Sequence, residues 1–322
     1  MKMKSIILLL CFIVITTDDD FQQSVKFGSF KITHINDGQV SVEAKSLYPD
    51  STTSFWDKHK DLLDENKKLS LPFGGFLIES GNKKILMDLG LGPEKTNLKG
   101  VGWAQGGLYL KNLKKAGVNP EDINDIFFSH LHQDNIGWAT TKRKGKYELT
   151  FPKANYWVNK YEWDSFVKNL EKNEDKEMKK ELEQRFYEPI KNVIQFAEEK
   201  KEFAPGLYAI TAAGHSPGLT ILKLEVGYRA LWFTSDIFHT IAEFDDIMLF
   251  TDLDHSKFAK ETRTIILQEF CRSVNFIANA RFGKYVFGKL HDKNRVLECE
   301  PCKTKECRMY LDGNTIAFEE DL

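Results

Sequence analysis

The stretch Ser129-His130-Leu131-His132-Gln133-Asp134-Asn135-Ile136-Gly137-Trp138 constrains this chain more than any other. It follows the apolar run Ile126-Phe127-Phe128, whose branched and aromatic side chains suit a buried strand. Two imidazoles and a carboxylate therefore crowd a strand's exit. Histidines two apart on extended backbone face the same side, where neutral rings can grip a borderline-soft cation such as zinc while Asp134 reaches in from the turn beyond. A polar loop that merely caps its strand would carry this spacing seldom.

Three remote segments also end strand-like runs on ligand-type residues. Leu207 to Thr211 leads into Ala213-Gly214-His215-Ser216-Pro217-Gly218, Ala230 to Phe233 leads to Asp236, and Lys284 to Gly288 leads to His291. A lone Gly-His-Ser-Pro-Gly is a weak signal, because a turn rich in Gly and Pro can hold a satisfied histidine. The ordered set is a strong one.

The first segment resembles the H-x-H-x-D-H signature of the metallo-β-lactamase superfamily, with Asn135 where the family has its third histidine. Trp157 after Phe151 to Asn155, Tyr161-Glu162-Trp163, Asp236-Ile237-Phe238-His239 and Asn294-Arg295-Val296 resemble the lactonase and methyl parathion hydrolase-like branch. The likeness runs from about Phe27 to Val296. It implies an α/β (α+β) fold, the αβ/βα four-layer sandwich, in which turns on one edge converge on a metal pair. By this resemblance His130, His132 and His215 bind the first metal, Asp236 bridges to the second, and Asp134 joins the second with His291.

A site of three imidazoles leaves a position for water, whose pKa zinc lowers towards roughly 7, so that hydroxide can attack an acyl carbon or phosphorus. Asp134 would orient it and pass a proton to the leaving group. Asp88 occupies the family's strand-ending aspartate and would accept an imidazole N–H; as a plain turn carboxylate it would do neither. Asn135 offers an amide oxygen or nothing, so one zinc is held firmly and the second weakly, and Asn135→His is expected to raise second-metal occupancy. Trp138 and His239 are pocket candidates, against core packing for the indole and a surface or packing role for the imidazole.

The charge of -2, from 45 basic and 47 acidic residues, gives no electrostatic case for a nucleic-acid partner. Lys2 and Lys4 precede an apolar run from Ile6 to Ile15, too short to span a bilayer but suited to a secretory signal over 1–17, or to an uncleaved tether. Residues 21–322 read as a single domain with a Cys-containing extension from about 297, where Cys299, Cys302 and Cys307 suggest a disulfide, with Cys271 a further candidate, rather than a zinc knuckle. The chain thus reads as an exported metal-dependent hydrolase of a small-molecule ester, lactone or phosphotriester. The alternatives are a β-lactamase and a catalytically weakened binding protein of the same fold.

Coarse elements complete the expectation. Asn36-Asp37-Gly38 reads as a hairpin turn between Ser29–Ile35 and Gln39–Glu43, and Ser80-Gly81-Asn82 as another. Ser46 to Ser70 reads as a loop or short helix covering the site, and Leu108 to Ala116 as a helix stopped by Gly117. Glu162 to Glu199 is helical and kinked or split by Pro189, and a last helix runs from about Lys257 to Ala280.

Overall fold

The computed structural model describes residues 23–98, 101–270 and 274–289. Two sheets pack face to face. The first has seven strands in the order Ser24–Phe27, Phe30–Glu43, Lys68–Ser80, Lys83–Met87, Asp125–Phe127, Asn155–Val158 and Ile194–Phe196. Its first four pair antiparallel and the rest parallel. The second orders Glu202–Ala204, Leu207–Thr211, Thr220–Val226, Arg229–Phe233, Val274–Ala278 and Phe287–Lys289. Only Arg229–Phe233 and Val274–Ala278 run parallel there, joined through the helix Ser256–Phe270.

Alternation along the strands creates the layers, since successive side chains leave opposite faces. Phe76, Ile85 and Phe127 meet Leu222, Leu231 and Phe276 between the sheets. Their neighbours Leu77, Leu86 and Ile126 face the other way, against Tyr109 and Leu113 of the helix Tyr109–Lys115 and Trp163 of the helix Lys160–Lys172. On the far side, Ile221, Trp232 and Ile277 pack on Ile266, Leu267 and Phe270. Helix, sheet, sheet and helix follow in turn, as the family resemblance implies.

Three local expectations are corrected. Asn36-Asp37-Gly38 is no hairpin turn: Phe30–Glu43 is one strand with a bulge between Asn36 and Gly38. The turn-forming residues serve the bulge instead, because it aims the buried Asp37 carboxylate sideways. There Oδ2 accepts from the N–H groups of Leu91 and Gly92, and Oδ1 from those of Gly107 and Tyr109 and from Trp138 Nε1.

The helical region after Glu162 breaks before Pro189 is reached. Lys160–Lys172 ends, and Asp175 caps a new helix, Lys176–Leu182, by accepting from the Glu177 and Met178 N–H groups. Val193 then precedes the edge strand Ile194–Phe196 and is not in a helix. The last helix likewise stops at Phe270, and Val274–Ala278 is a strand. Among the described residues no helix is long and apolar enough to cross a membrane. Residues 1–17, Cys271, His291, Asn294 to Val296 and the cysteines from Cys299 lie outside the described residues.

A candidate metal centre

The three histidines, Asp236 and Arg281 each sit past the carboxyl end of a strand, His215 past Leu207–Thr211. His130 and His132 follow Asp125–Phe127, Asp236 follows Arg229–Phe233, and Arg281 follows Val274–Ala278. The chain between His132 and Gly137 makes a single helical turn, Gln133–Ile136, held against the end of the first sheet: Leu89 N–H donates to Asn135 O, and Gly137 N–H to Gly90 O. Gly137 is required there, because a Cβ would lie 1.9 Å from the Leu91 carbonyl carbon.

Glu162 ties the two histidine loops together. Its Oε1 accepts from Leu131 N–H at 3.0 Å, and its Oε2 from Ser216 Oγ at 2.7 Å and Gly218 N–H at 3.0 Å. One buried carboxylate on a first-layer helix thereby sets the loop of His130 and His132 against the loop of His215.

The three rings meet nearly edge to face, with centroids 4.6 to 5.0 Å apart. Their partners fix where the protons lie. Ionised Asp254 accepts only, so His215 Nδ1–H donates to its Oδ1 at 3.0 Å, the tautomer whose Nε2 carries the lone pair inward. Ser129 Oγ donates to Asp88 Oδ2 at 2.7 Å and accepts from Ser235 Oγ at 2.8 Å, and it lies 3.0 Å from His130 Nδ1. It therefore accepts from that nitrogen too, leaving His130 Nε2 as a second inward lone pair. His132 Nδ1 stands 3.0 Å from His215 Nε2.

Ligand atoms of the three histidines lie within 4.8 Å of one another. Protonation does not relieve that crowding: burial, followed by the neighbouring rings, pulls His130 well below its usual range and His132 down to about 4. Asp236 Oδ2 is 3.6 Å from His130 Nε2 and 3.7 Å from His215 Nε2, which adds negative charge on the same point. Neutral nitrogens converging with a carboxylate fit one metal cation.

The second metal position does not fit. Arg281, 7% exposed, places its guanidinium among the residues that the resemblance gives to that metal. Nε donates to Asp236 Oδ1 at 3.0 Å, and Nη2 lies 3.1 Å from Asp236 Oδ2 and 2.5 Å from Asp134 Oδ2. Asn135 turns its oxygen to Arg281 Nη2 at 3.5 Å and its nitrogen to His130 Nε2 at 3.2 Å. Burial opposes charge on both Asp236 and Arg281. Arg281 nevertheless holds Asp236 well below the usual carboxylate range, and Asp134 and Asp236 hold Arg281 above its own.

Other predicted residues fall in different places. Asp88 does not meet an imidazole directly but acts through Ser129, accepting from both its N–H and its hydroxyl. It takes a left-handed backbone, φ 59°, as does Ser235 at 44° on the other side of Ser129. Burial lifts Asp88 to about 7. Trp138 is in the core, its indole spent on Asp37, and does not line the cavity. His239 does line it, with both ring nitrogens buried and without a hydrogen-bond partner. Burial opposes its charge, yet Glu243, Asp236 and Asp254 hold it up to about 9. Sequence reasoning missed Arg281, Asp254 and the role of Glu162. Only Glu162 carried a signal, as part of the branch-like Tyr161-Glu162-Trp163.

A cavity of about 440 Å³ opens on this centre. His132, His215, Asp134, Asp236, His239 and Arg281 form its polar wall, while Leu47, Leu71, Phe166, Leu170 and Leu182 are among its apolar side chains.

A four-layer sandwich whose strand ends carry three converging imidazoles and a carboxylate defines a metallo-hydrolase. The chain belongs to the metallo-β-lactamase superfamily, whose family model matches residues 75–268. It is 27% identical over 207 residues to an N-acyl homoserine lactonase of Bacillus cereus, covering 58% of this chain and 72% of that protein. Among solved structures it is similar to AidC, a dizinc quorum-quenching lactonase in complex with a product, N-hexanoyl-L-homoserine. That match has a TM-score of 0.71 and 24% identity, over 85% of this chain and 96% of the other. It is also similar to the hydrolase AbOPH, with a TM-score of 0.71 and 22% identity, over 93% and 98% of the two chains.

Proposed function

We propose that the protein hydrolyses the ring ester of a lactone bearing an apolar acyl tail, using one zinc ion held by His130, His132 and His215. The observation that carries this reading is the cavity, whose one wall is the polar centre and whose remainder is largely aliphatic and aromatic. Such a shape suits a small polar head at the centre and a hydrocarbon tail along Leu170 and Phe166. The lactonase relatives support the same class.

Zinc bound there supplies a Lewis acid and a water acidified towards neutral pH. The chain's own groups do the rest. Asp254 and Ser129 hold the His215 and His130 rings with their lone pairs inward. Asp134 stands at the cavity wall, where it accepts a proton from the attacking water and returns it to the alkoxide released when the ring opens. His239, whose Nε2 lies 3.7 Å from Asp236 Oδ2 and whose Nδ1 lies 3.8 Å from Glu243 Oε1, stands in the cavity wall where an N–H can turn to a substrate oxygen. Export is part of the proposal, on the strength of Lys2, Lys4 and the apolar run after them, and cell fractionation that finds the full-length chain only in the cytoplasm would remove it.

The test is a substrate panel on the zinc-loaded protein: acyl lactones of increasing tail length, aryl esters, phosphotriesters and β-lactams. Lactones should give the highest kcat/KM, rising with tail length, and His215→Ala should reduce turnover to background. A preference for phosphotriesters or β-lactams, or undiminished turnover by His215→Ala, would overturn the reading.

A further inference from the structure

We propose that the Arg281 guanidinium permanently takes the place of the second metal, so that this centre works with one metal ion and one built-in organic cation. The inference rests on the one-zinc reading of the three-histidine site and concerns the position beside it.

A second metal would need Asp134 and Asp236 as ligands, and both are already committed. The guanidinium fork takes both oxygens of Asp236 and one of Asp134, the paired geometry in which arginine binds carboxylates best. Nη1 is anchored as well, donating to Pro72 O at 3.2 Å. The ring of Phe73 lies 6.0 Å from the guanidinium carbon.

The residue is anchored along its backbone as well. Arg281 N–H donates to Asn279 Oδ1 at 2.7 Å, and Asn279 Nδ2 donates to the carbonyls of Ser235 and Phe238, on either side of Asp236. The loop that carries the cation and the loop that carries its carboxylate are therefore one hydrogen-bonded unit. To admit a metal here, a buried cation would have to leave two carboxylates and the hydrogen bonds it makes to them, which is strongly opposed.

Asn135 fits this cation and would not fit a metal. A histidine at 135 would direct either a lone pair or an N–H at its neighbours, whereas the amide turns its oxygen to Arg281 and its nitrogen to Asp134 Oδ1. Arg281 and Asn135 together thus make one exchange: a guanidinium and an amide for a metal and its imidazole. This revises the expectation for Asn135→His, because restoring the imidazole leaves the guanidinium in possession.

The test is zinc stoichiometry of the full chain by mass spectrometry of the metal, after loading with excess zinc sulfate and desalting, with folding followed by circular dichroism. Wild type should retain about one zinc per chain, Asn135→His also about one, and the double variant Asn135→His/Arg281→Ala should approach two. Two zinc ions in wild type or in Asn135→His would overturn the proposal while leaving the three-histidine site intact. A folded double variant that stays at one would overturn it too. No retained zinc in folded wild type would overturn the hydrolase reading and this inference with it. If the double variant fails to fold, wild type and Asn135→His still decide.

Discussion

Asp254 shows how much of the centre depends on a residue that no motif announces. It lies in the loop before the helix Ser256–Phe270, far in sequence from His130, His132 and His215, and accepts from His215 Nδ1 at 3.0 Å. Its second oxygen accepts from Thr251 N–H and Oγ1, so the carboxylate is itself oriented. Replacing it by alanine frees His215 to turn or change tautomer. Zinc affinity should then fall about ten- to a hundredfold, as for other partners of metal-bound imidazoles. Competition with a chromophoric chelator measures this, and an unchanged affinity would show that the Asp254 contact does not orient the ring. Legibility at this scale follows chemistry and spacing. His130, His132 and Asp134 are close in sequence, and His215 and Asp236 end strands. Asp254 and Arg281 reach the centre only through tertiary packing, and an acid or an arginine in a loop looks the same whether it is solvated or buried.

At the scale of elements, the bulge at Asn36 and Gly38 does for the loops what Glu162 does for the histidines. Asp37 gathers donors from the segment after Asp88, from the start of the helix Tyr109–Lys115 and from Trp138, next to the metal-binding turn. Asp37→Ala would strand these buried donors, and should cost at least about 3 kcal/mol given roughly 1–3 kcal/mol for each polar group left unsatisfied. Urea unfolding of the metal-free protein tests it; a loss under about 1 kcal/mol would mean that water replaces the carboxylate. The sequence pattern could not separate this bulge from a hairpin, because Asn-Asp-Gly suits both and the difference lies in where one side chain points. The region 257–280 failed for another reason. Its apolar residues satisfy helical spacing to Phe270, but the strand beyond puts Phe276 and Ala278 on one buried face and Ile277 on the other, so Phe276 to Ala278 is an apolar run in which periods of 3.6 and 2 look alike.

For the whole molecule, the centre is a seam between the two sheets. His130 and His132 come from the first, and His215 and Asp236 from the second. A metal shared across that seam binds the folded chain and not the unfolded one, so it raises stability by mass action, by about 4 kcal/mol when free zinc is a thousand times its dissociation constant. Thermal unfolding of the apo-protein should therefore shift upward with added zinc in wild type and very little in His215→Ala. The pH dependence has a defined sign. In the folded chain His132 is held down to about 4 against an ordinary 6.5, so the unfolded state binds the extra proton between those values. The His132 contribution to apo stability is accordingly full above pH 6.5 and disappears as pH falls towards 4. Zinc, which needs the same unprotonated nitrogen, should carry the folded state further into that acid window. Parallel melting curves with zinc and with a chelator, from pH 7.5 down to 4.5, compare the two. The gap between them should be widest near neutrality and narrow as protons displace the metal. A gap of constant width, or an equal one in His215→Ala, would place the stabilising zinc somewhere other than this seam.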